Sequence, residues 1–178
     1  MQQAGIGKGD RVAAYIPNIP EAVIAMLATS AVGAIFSSCS PDFGIGGASD
    51  RFGQIEPKLL IACDGYLDGG KRFDRLPIVR ELAAGMPSVT HTLIVPYLDT
   101  APDLSGLPQP CLFDEAEGDA PLADFVRVGF NDPLYILYSS GTTGAPKCIV
   151  HGVGGVTLQH AKELRLHSDV RPEDRLFF

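Results

Sequence analysis

The 178-residue chain is short of several features that would fix a function at a glance. Its four cysteines, Cys39, Cys63, Cys111 and Cys148, stand far apart with no C-x-x-C pair. His91, His151, His160 and His167 complete no zinc pattern with them. The simplest expectation is reduced thiols in the cytoplasm. Positive charge is also scarce: Lys+Arg 14 against Asp+Glu 21 leaves a net charge of −7 and a pI near 4.9. That balance argues against a protein held to nucleic acid or anionic lipid by bulk electrostatics, so any phosphate ligand needs a local site. The opening Met1-Gln-Gln-Ala-Gly5 has neither the basic nor the apolar region of a secretory signal. Residues 22–39 carry no charge, yet are mostly Ala, Ser, Thr and Gly. With Gly33 ending the helix, about 14 residues span only ~21 Å, short of the ~30 Å hydrocarbon core. A buried helix is expected there rather than a membrane span.

What the chain does have is an ordinary globular composition, 46% hydrophobic and 20% charged. A single domain of this length buries roughly 70% of its unfolded surface. Apolar runs alternate with helical patterns, the signature of an α/β fold: a mixed sheet flanked by helices. Strands are expected at residues 11–16, 34–38, 58–63, 91–95, 134–138 and 148–150, with another beginning at 175–178. Because the chain stops inside that last strand, the sheet is expected to be incomplete. Helices are expected from Pro20 to Gly33 with Asn18 as cap, at residues 48–55 with Asp50, Arg51 and Gln54 facing water, at 76–84 and at 156–167. Residues 96–124, rich in Pro, Gly, Asp and Glu, read as a surface excursion without a sustained period.

Chemistry concentrates in Ser139-Ser-Gly-Thr-Thr-Gly-Ala-Pro-Lys147, a loop between two short strands. Glycines let several backbone N–H groups converge on one centre without a Cβ in the way. Hydroxyls donate to the same oxygens, Lys147 adds a compact positive charge, and Pro146 stiffens its approach. These are the parts that grip a polyphosphate. The loop is not a Walker A sequence, which ends in Gly-Lys-Ser/Thr and enters a helix.

Tyr138-Ser-Ser-Gly-Thr-Thr-Gly-Ala-Pro-Lys147 resembles the phosphate-binding signature of the adenylate-forming superfamily of acyl-CoA synthetases, luciferases and adenylation domains. Gly7-Lys-Gly-Asp-Arg-Val12, Tyr15-Ile-Pro-Asn18, Ala31-Val-Gly-Ala34 and Cys39-Ser-Pro-Asp-Phe-Gly44 extend the resemblance over the N-terminal domain of such enzymes. Asp50-Arg-Phe-Gly-Gln-Ile-Glu-Pro57, the string from Asp64 to Arg75, and Ile149-Val-His-Gly-Val-Gly-Gly155 narrow it to the acetoacetyl-CoA synthetases. The resemblance implies a two-step acid–thiol ligase. ATP and acetoacetate form an acyl-adenylate with release of pyrophosphate, and CoA then displaces AMP. By position, Ser139, Ser140, Gly141, Thr142, Thr143 and Gly144 contact the β- and γ-phosphates, Lys147 closes the loop, and Mg²⁺ helps neutralise the charge. The work is positional and electrostatic.

A second site is implied at Gly69-Gly70-Lys71-Arg72, with Arg75 nearby, the densest basic cluster of an acidic chain. Related short-chain synthetases hold the 3′-phosphate of CoA near such a segment; the plain alternative is a solvated basic turn before a helix. His151 reads as structural, Asp42, Asp50 and Asp64 as turn or cap residues, and Cys148 as a small apolar residue rather than a nucleophile. The superfamily's adenine and Mg²⁺ segment, its ribose-binding Asp and its C-terminal adenylation lysine have no counterpart in the sequence. Residues 1–178 are therefore expected to be part of an N-terminal domain, inactive alone, with the rest of that domain and the lid domain outside them. Ligases for acetate or propionate, and a non-catalytic phosphate-binding module, are the alternatives.

Overall fold

The continuous apolar runs become central strands because both of their faces are covered. The computed structural model describes residues 1–178 apart from 117, 119–121, 123, 140–143 and 177–178. In chain order it contains β1 (Arg11–Tyr15), α1 (Pro20–Ala31), β2 (Ile35–Cys39), α2 (Ile45–Phe52), β3 (Leu59–Cys63), β4 (Gly65–Asp68), β5 (Lys71–Asp74), α3 (Leu76–Gly85), β6 (His91–Val95), β7 (Pro110–Leu112), β8 (Pro133–Tyr138), β9 (Cys148–Gly152) and α4 (Val153–Lys162). Seven strands form one sheet in the order β7-β6-β3-β1-β2-β8-β9. All neighbours are parallel except β8 and β9.

Alternation along the two central strands assigns their side chains to opposite layers. Val12 and Ala14 of β1 and Ile61 and Cys63 of β3 pack in one core with Ala25 of α1 and with Val32. Ala13 and Tyr15, with Leu60 and Ala62, enter the other, against Ala48 and Phe52 of α2 and Val79 and Leu82 of α3. The chain leaves β1 toward one layer and the adjacent β2 toward the other. Residues 40–44, 64–75, 96–103 and 139–147 all follow the C-terminal ends of parallel strands, the edge at which open α/β sheets receive ligands.

Several expectations are corrected. Asn18 does not cap α1: extended Ile19 holds the cap position without a side-chain bond, and Pro20 begins the helix, where its missing N–H is no loss. Helix α2 begins three residues before the expected Ala48 and ends at Phe52. Helix α4 begins at Val153, and a π-helical turn at Glu163–His167 completes the expected span. The excursion after β6 contributes β7, a short parallel edge strand. Gly69 and Gly70, read as part of a turn, join the antiparallel strands β4 and β5. Their φ values of 53° and 76° suit the two-residue turn in which both central positions need φ > 0. Arg175 and Leu176 form no strand, and 177–178 lie outside the described residues. Among the described residues no helix is long and apolar enough to cross a membrane.

Candidate functional site

Strand β8 runs beside the buried β2 and turns back through residues 139–147 into β9, with Tyr138 paired to Cys148 at the mouth. Just beyond that pair, the Ser139 amide donates to the Lys147 carbonyl at 3.1 Å. The Lys147 amide donates to Ser139 Oγ at 3.3 Å. The two ends of the predicted phosphate loop are thus brought together, with the Lys147 side chain exposed. Gly144 has φ 107°, a region that disfavours any residue with a Cβ. Ser140, Gly141, Thr142 and Thr143 lie outside the described residues.

The mouth of this loop is held from below and from the side. Ser37 of β2, fully buried, donates to the Ile136 carbonyl at 2.8 Å and shares a hydrogen bond with the Tyr138 hydroxyl at 2.9 Å. The Tyr138 ring meets Phe52 edge to face, centroids 6.5 Å apart. Burial pushes the Tyr138 phenol up to about 12. From α2, the Arg51 guanidinium lies 4.1 Å above the Phe43 ring centroid and 5.8 Å from that of Tyr138. It donates to the Gly47 carbonyl at 2.7 Å. Arg51 was expected to face water. Instead its planar cation is drawn onto two aromatic faces. Gln54, one turn later, donates to the Pro146 carbonyl at 2.8 Å. Periodicity identified neither Arg51 nor Gln54 as part of the site. Arg51 lies in the last turn of α2 and Gln54 in the turn beyond it, so helical spacing alone does not bring them together.

Nothing at the mouth is a reactive thiol. Burial pushes the Cys39 thiol up to about 12 and raises that of Cys148. His151 packs against Tyr135 with ring centroids 5.1 Å apart.

The basic segment occupies the same edge of the sheet, on the hairpin β4–β5 that springs from β3. Its cations are not equivalent. Arg72 pairs with Asp99 at 3.0 Å and donates to the Leu98 carbonyl at 3.4 Å. Arg75 donates to the Pro41 carbonyl at 2.8 Å and the Tyr66 hydroxyl at 2.9 Å, lying over the stacked rings of Tyr66 and Phe73. Lys71 makes no ion pair among the described residues. Beside Arg72 is a cavity of about 290 Å³ bordered by Asp64, Asp74, Asp99 and Asp103, so Arg72 is surrounded largely by negative charge.

Asp64 is more than a turn residue: only 2% exposed, it accepts the consecutive amides of Tyr97, Leu98 and Asp99 at 2.8–3.1 Å. This bond set ties the end of β3 to the segment after β6. Nearby, Asp42 is held below the ordinary carboxylate range, chiefly by hydrogen bonding to Tyr66 and then to Ser40.

The model of AMP-binding enzymes matches residues 1–178. The chain belongs to the AMP-binding enzyme family. Within that family it is 51% identical over 193 residues to the acetoacetyl-coenzyme A synthetase of Rhizobium meliloti (strain 1021), covering 100% of this chain and 28% of that protein. It is 40% identical over 186 residues to a malonamoyl-CoA synthetase of Penicillium aethiopicum, covering 100% of this chain and 26% of that protein. The solved acetoacetyl-CoA synthetase from Streptomyces lividans superposes with a TM-score of 0.90 at 45% identity, over 99% of this chain and 27% of that one. The chain thus spans little more than a quarter of the AMP-binding relatives it matches.

Proposed function

We propose that residues 1–178 are the part of an N-terminal domain that holds the ATP polyphosphate in an AMP-forming acetoacetate–CoA ligase. The observation that carries this reading is the loop of residues 139–147, closed at its base by the Ser139–Lys147 hydrogen bonds. It lies in a chain whose relatives include synthetases named for acetoacetyl-CoA. In the proposed reaction the acetoacetate carboxylate attacks the α-phosphorus, the bond to the β-phosphate breaks, and pyrophosphate leaves. The CoA thiol then attacks the acyl carbon and AMP leaves.

The share of this chain is to bind and orient the β- and γ-phosphates. Residues 139–144 supply amides and hydroxyls, and Lys147 supplies positive charge that favours charge developing on the departing pyrophosphate. In this reading Mg²⁺ arrives with the polyphosphate, which supplies most of its ligands.

The CoA nucleotide is assigned to the β4–β5 hairpin. Lys71 makes the contact with phosphate, Gly69 and Gly70 set the turn, and Arg72 joins by exchanging Asp99 for the ligand. Arg75, whose guanidinium already bridges Pro41 and Tyr66, holds the hairpin in place.

The test is ATP–pyrophosphate exchange by the full-length enzyme with acetoacetate, malonamate, acetate and propionate, alongside Lys147→Ala. Acetoacetate preference, with Lys147→Ala raising the KM for ATP about tenfold or more, supports the reading. A preference for acetate overturns the choice of acid, and an unchanged KM for ATP overturns the loop assignment. The 40% identity to a malonamoyl-CoA synthetase favours malonamate as the second acid, since both acids carry a carbonyl two carbons from the carboxylate.

A further inference from the structure

Helix α2 and the turn that follows it are linked to both ends of the phosphate loop, and the helix's other contacts do not require this. At the entrance, Arg51 lies over Phe43 and approaches Tyr138, the residue immediately before Ser139. At the exit, Gln54 donates its side-chain amide to the carbonyl of Pro146, immediately before Lys147. The two contacts join segments 92 residues apart in sequence at the second and 87 at the first. Packing of α2 is already secured by Ala48 and Phe52, both fully buried, so neither Arg51 nor Gln54 is needed to dock the helix.

Two features distinguish Arg51 from a surface cation. It is half-buried and, among the described residues, no carboxylate pairs with it. Among the described residues one of its five N–H groups is engaged, by the Gly47 carbonyl, and the guanidinium lies over the Phe43 ring. An oriented cation without an acidic partner raises the local potential for an anion. Gln54 acts differently. Its bond to Pro146 restrains the backbone one peptide before Lys147, on the side where proline already limits φ.

We propose that α2 and the turn that ends it are the latch of the phosphate loop, with Arg51 on the helix and Gln54 in the turn as positioning residues that set the loop's affinity for polyphosphate. The proposal rests on the assignment of residues 139–147 to ATP. Gln54 fixes the direction in which Lys147 leaves the sheet, and Arg51 fixes Tyr138 while adding positive charge at the entrance. Neither residue is assigned a contact with the reacting atoms.

The experiment uses the full-length enzyme and three sets of variants. Gln54→Met keeps length and removes the donor, whereas Gln54→Lys restores a donor to the carbonyl. Arg51→Met removes charge and planarity, and Arg51→Lys keeps charge alone. Lys147→Ala reports on the loop assignment itself. Expected are a two- to fivefold rise in the KM for ATP with Gln54→Met, of the order of one exposed neutral hydrogen bond, and recovery to within twofold with Gln54→Lys. Arg51→Met should raise it about tenfold and Arg51→Lys by less. The KM values for acetoacetate and CoA and the melting temperature should hold. If Lys147→Ala weakens ATP and both Gln54→Met and Arg51→Met leave its KM unchanged, the latch is wrong and the loop assignment survives. An unchanged KM with Lys147→Ala removes both. A parallel rise in all three KM values with a lower melting temperature makes α2 a general support and overturns the latch.

Discussion

The Ser37–Tyr138 pair at the floor of the loop gives a prediction with a definite asymmetry. Ser37 is buried in β2 and has two partners, the Ile136 carbonyl at 2.8 Å and the Tyr138 hydroxyl at 2.9 Å. Tyr138 has Ser37 as its hydroxyl's partner among the described residues. Ser37→Ala strands that hydroxyl in a site dry enough to push its pKa to about 12. Leaving a buried polar group unsatisfied costs about 1–3 kcal/mol. Tyr138→Phe removes the hydroxyl, and Ser37 still donates to Ile136, so only a net hydrogen bond of about 1 kcal/mol is lost.

In the double variant neither hydroxyl is stranded. Its cost should therefore fall short of the sum of the single costs by about 1 kcal/mol. The measurement is urea unfolding of the four proteins at one temperature, read from the midpoints at constant m. Ser37→Ala should also lower the melting temperature by about 4–8 °C for a loss near 2 kcal/mol in a domain of this size. Additive single costs, or a larger loss from Tyr138→Phe than from Ser37→Ala, would refute the assignment of these bonds.

Other residues make shorter tests. At pH 8, Cys39 and Cys63, pushed from 9.0 to about 12 by burial, should react with iodoacetamide about 1000-fold more slowly than an ordinary thiol. Comparable labelling of all four cysteines in the native state would contradict that. Asp132 is held below the ordinary 3.8 by the Lys8 side chain and then by the Gly129 amide. Its contribution is therefore complete above about pH 4 and is lost as pH falls through the folded value. Asp132→Asn should remove that contribution at neutral pH, leave stability well below the folded value little changed and so flatten the acid limb; an unaltered acid limb speaks against it. Gly65→Ala should destabilise by more than about 2 kcal/mol, because a Cβ there meets the Phe73 carbonyl and the Leu98 side chain. A soluble variant with an unchanged denaturation midpoint would show that the β4–β5 hairpin can shift. Charge reversal at Lys71 and Arg72 should raise the KM for CoA and spare adenylate formation, and an unchanged KM for CoA would sink that assignment.

How legible each part was in the sequence follows from how many residues carried the signal. Strands β1 and β3 were readable because four successive small or apolar residues in β1, Val12–Tyr15, and five in β3, Leu59–Cys63, have both faces covered, a pattern few other placements allow. Strand β7 has three residues and starts with proline, too few for a period, so its pairing to β6 depends on tertiary context. The β4–β5 hairpin left a usable trace in Gly69-Gly70, with Tyr66 and Phe73 symmetrically placed about it, but the lysine and arginines beside it read more strongly as a charged turn.

The loop of residues 139–147 stood out in the sequence by its run of glycines and hydroxyls ending in a lysine. Its supports did not. Arg51, Arg75 and Asp64 look in sequence like solvated charges. In three dimensions Arg51 and Arg75 lie on aromatic rings, and Asp64 organises the amides of residues 97–99. Which charges remain available to a ligand depends on distant partners such as Asp99 and Pro41, which local pattern does not reveal.

The reversal of chain direction between β8 and β9 has an entropic consequence. Nine residues separate Tyr138 from Cys148, and their ends are already joined by the antiparallel pairing and by the Ser139–Lys147 bonds. Closing a free segment of that length costs about 2 kcal/mol beyond a constant. Here the sheet bears that cost when the chain folds. In the proposed role, a polyphosphate meets a segment whose two ends are already gathered, so that closure cost is not drawn from its binding energy.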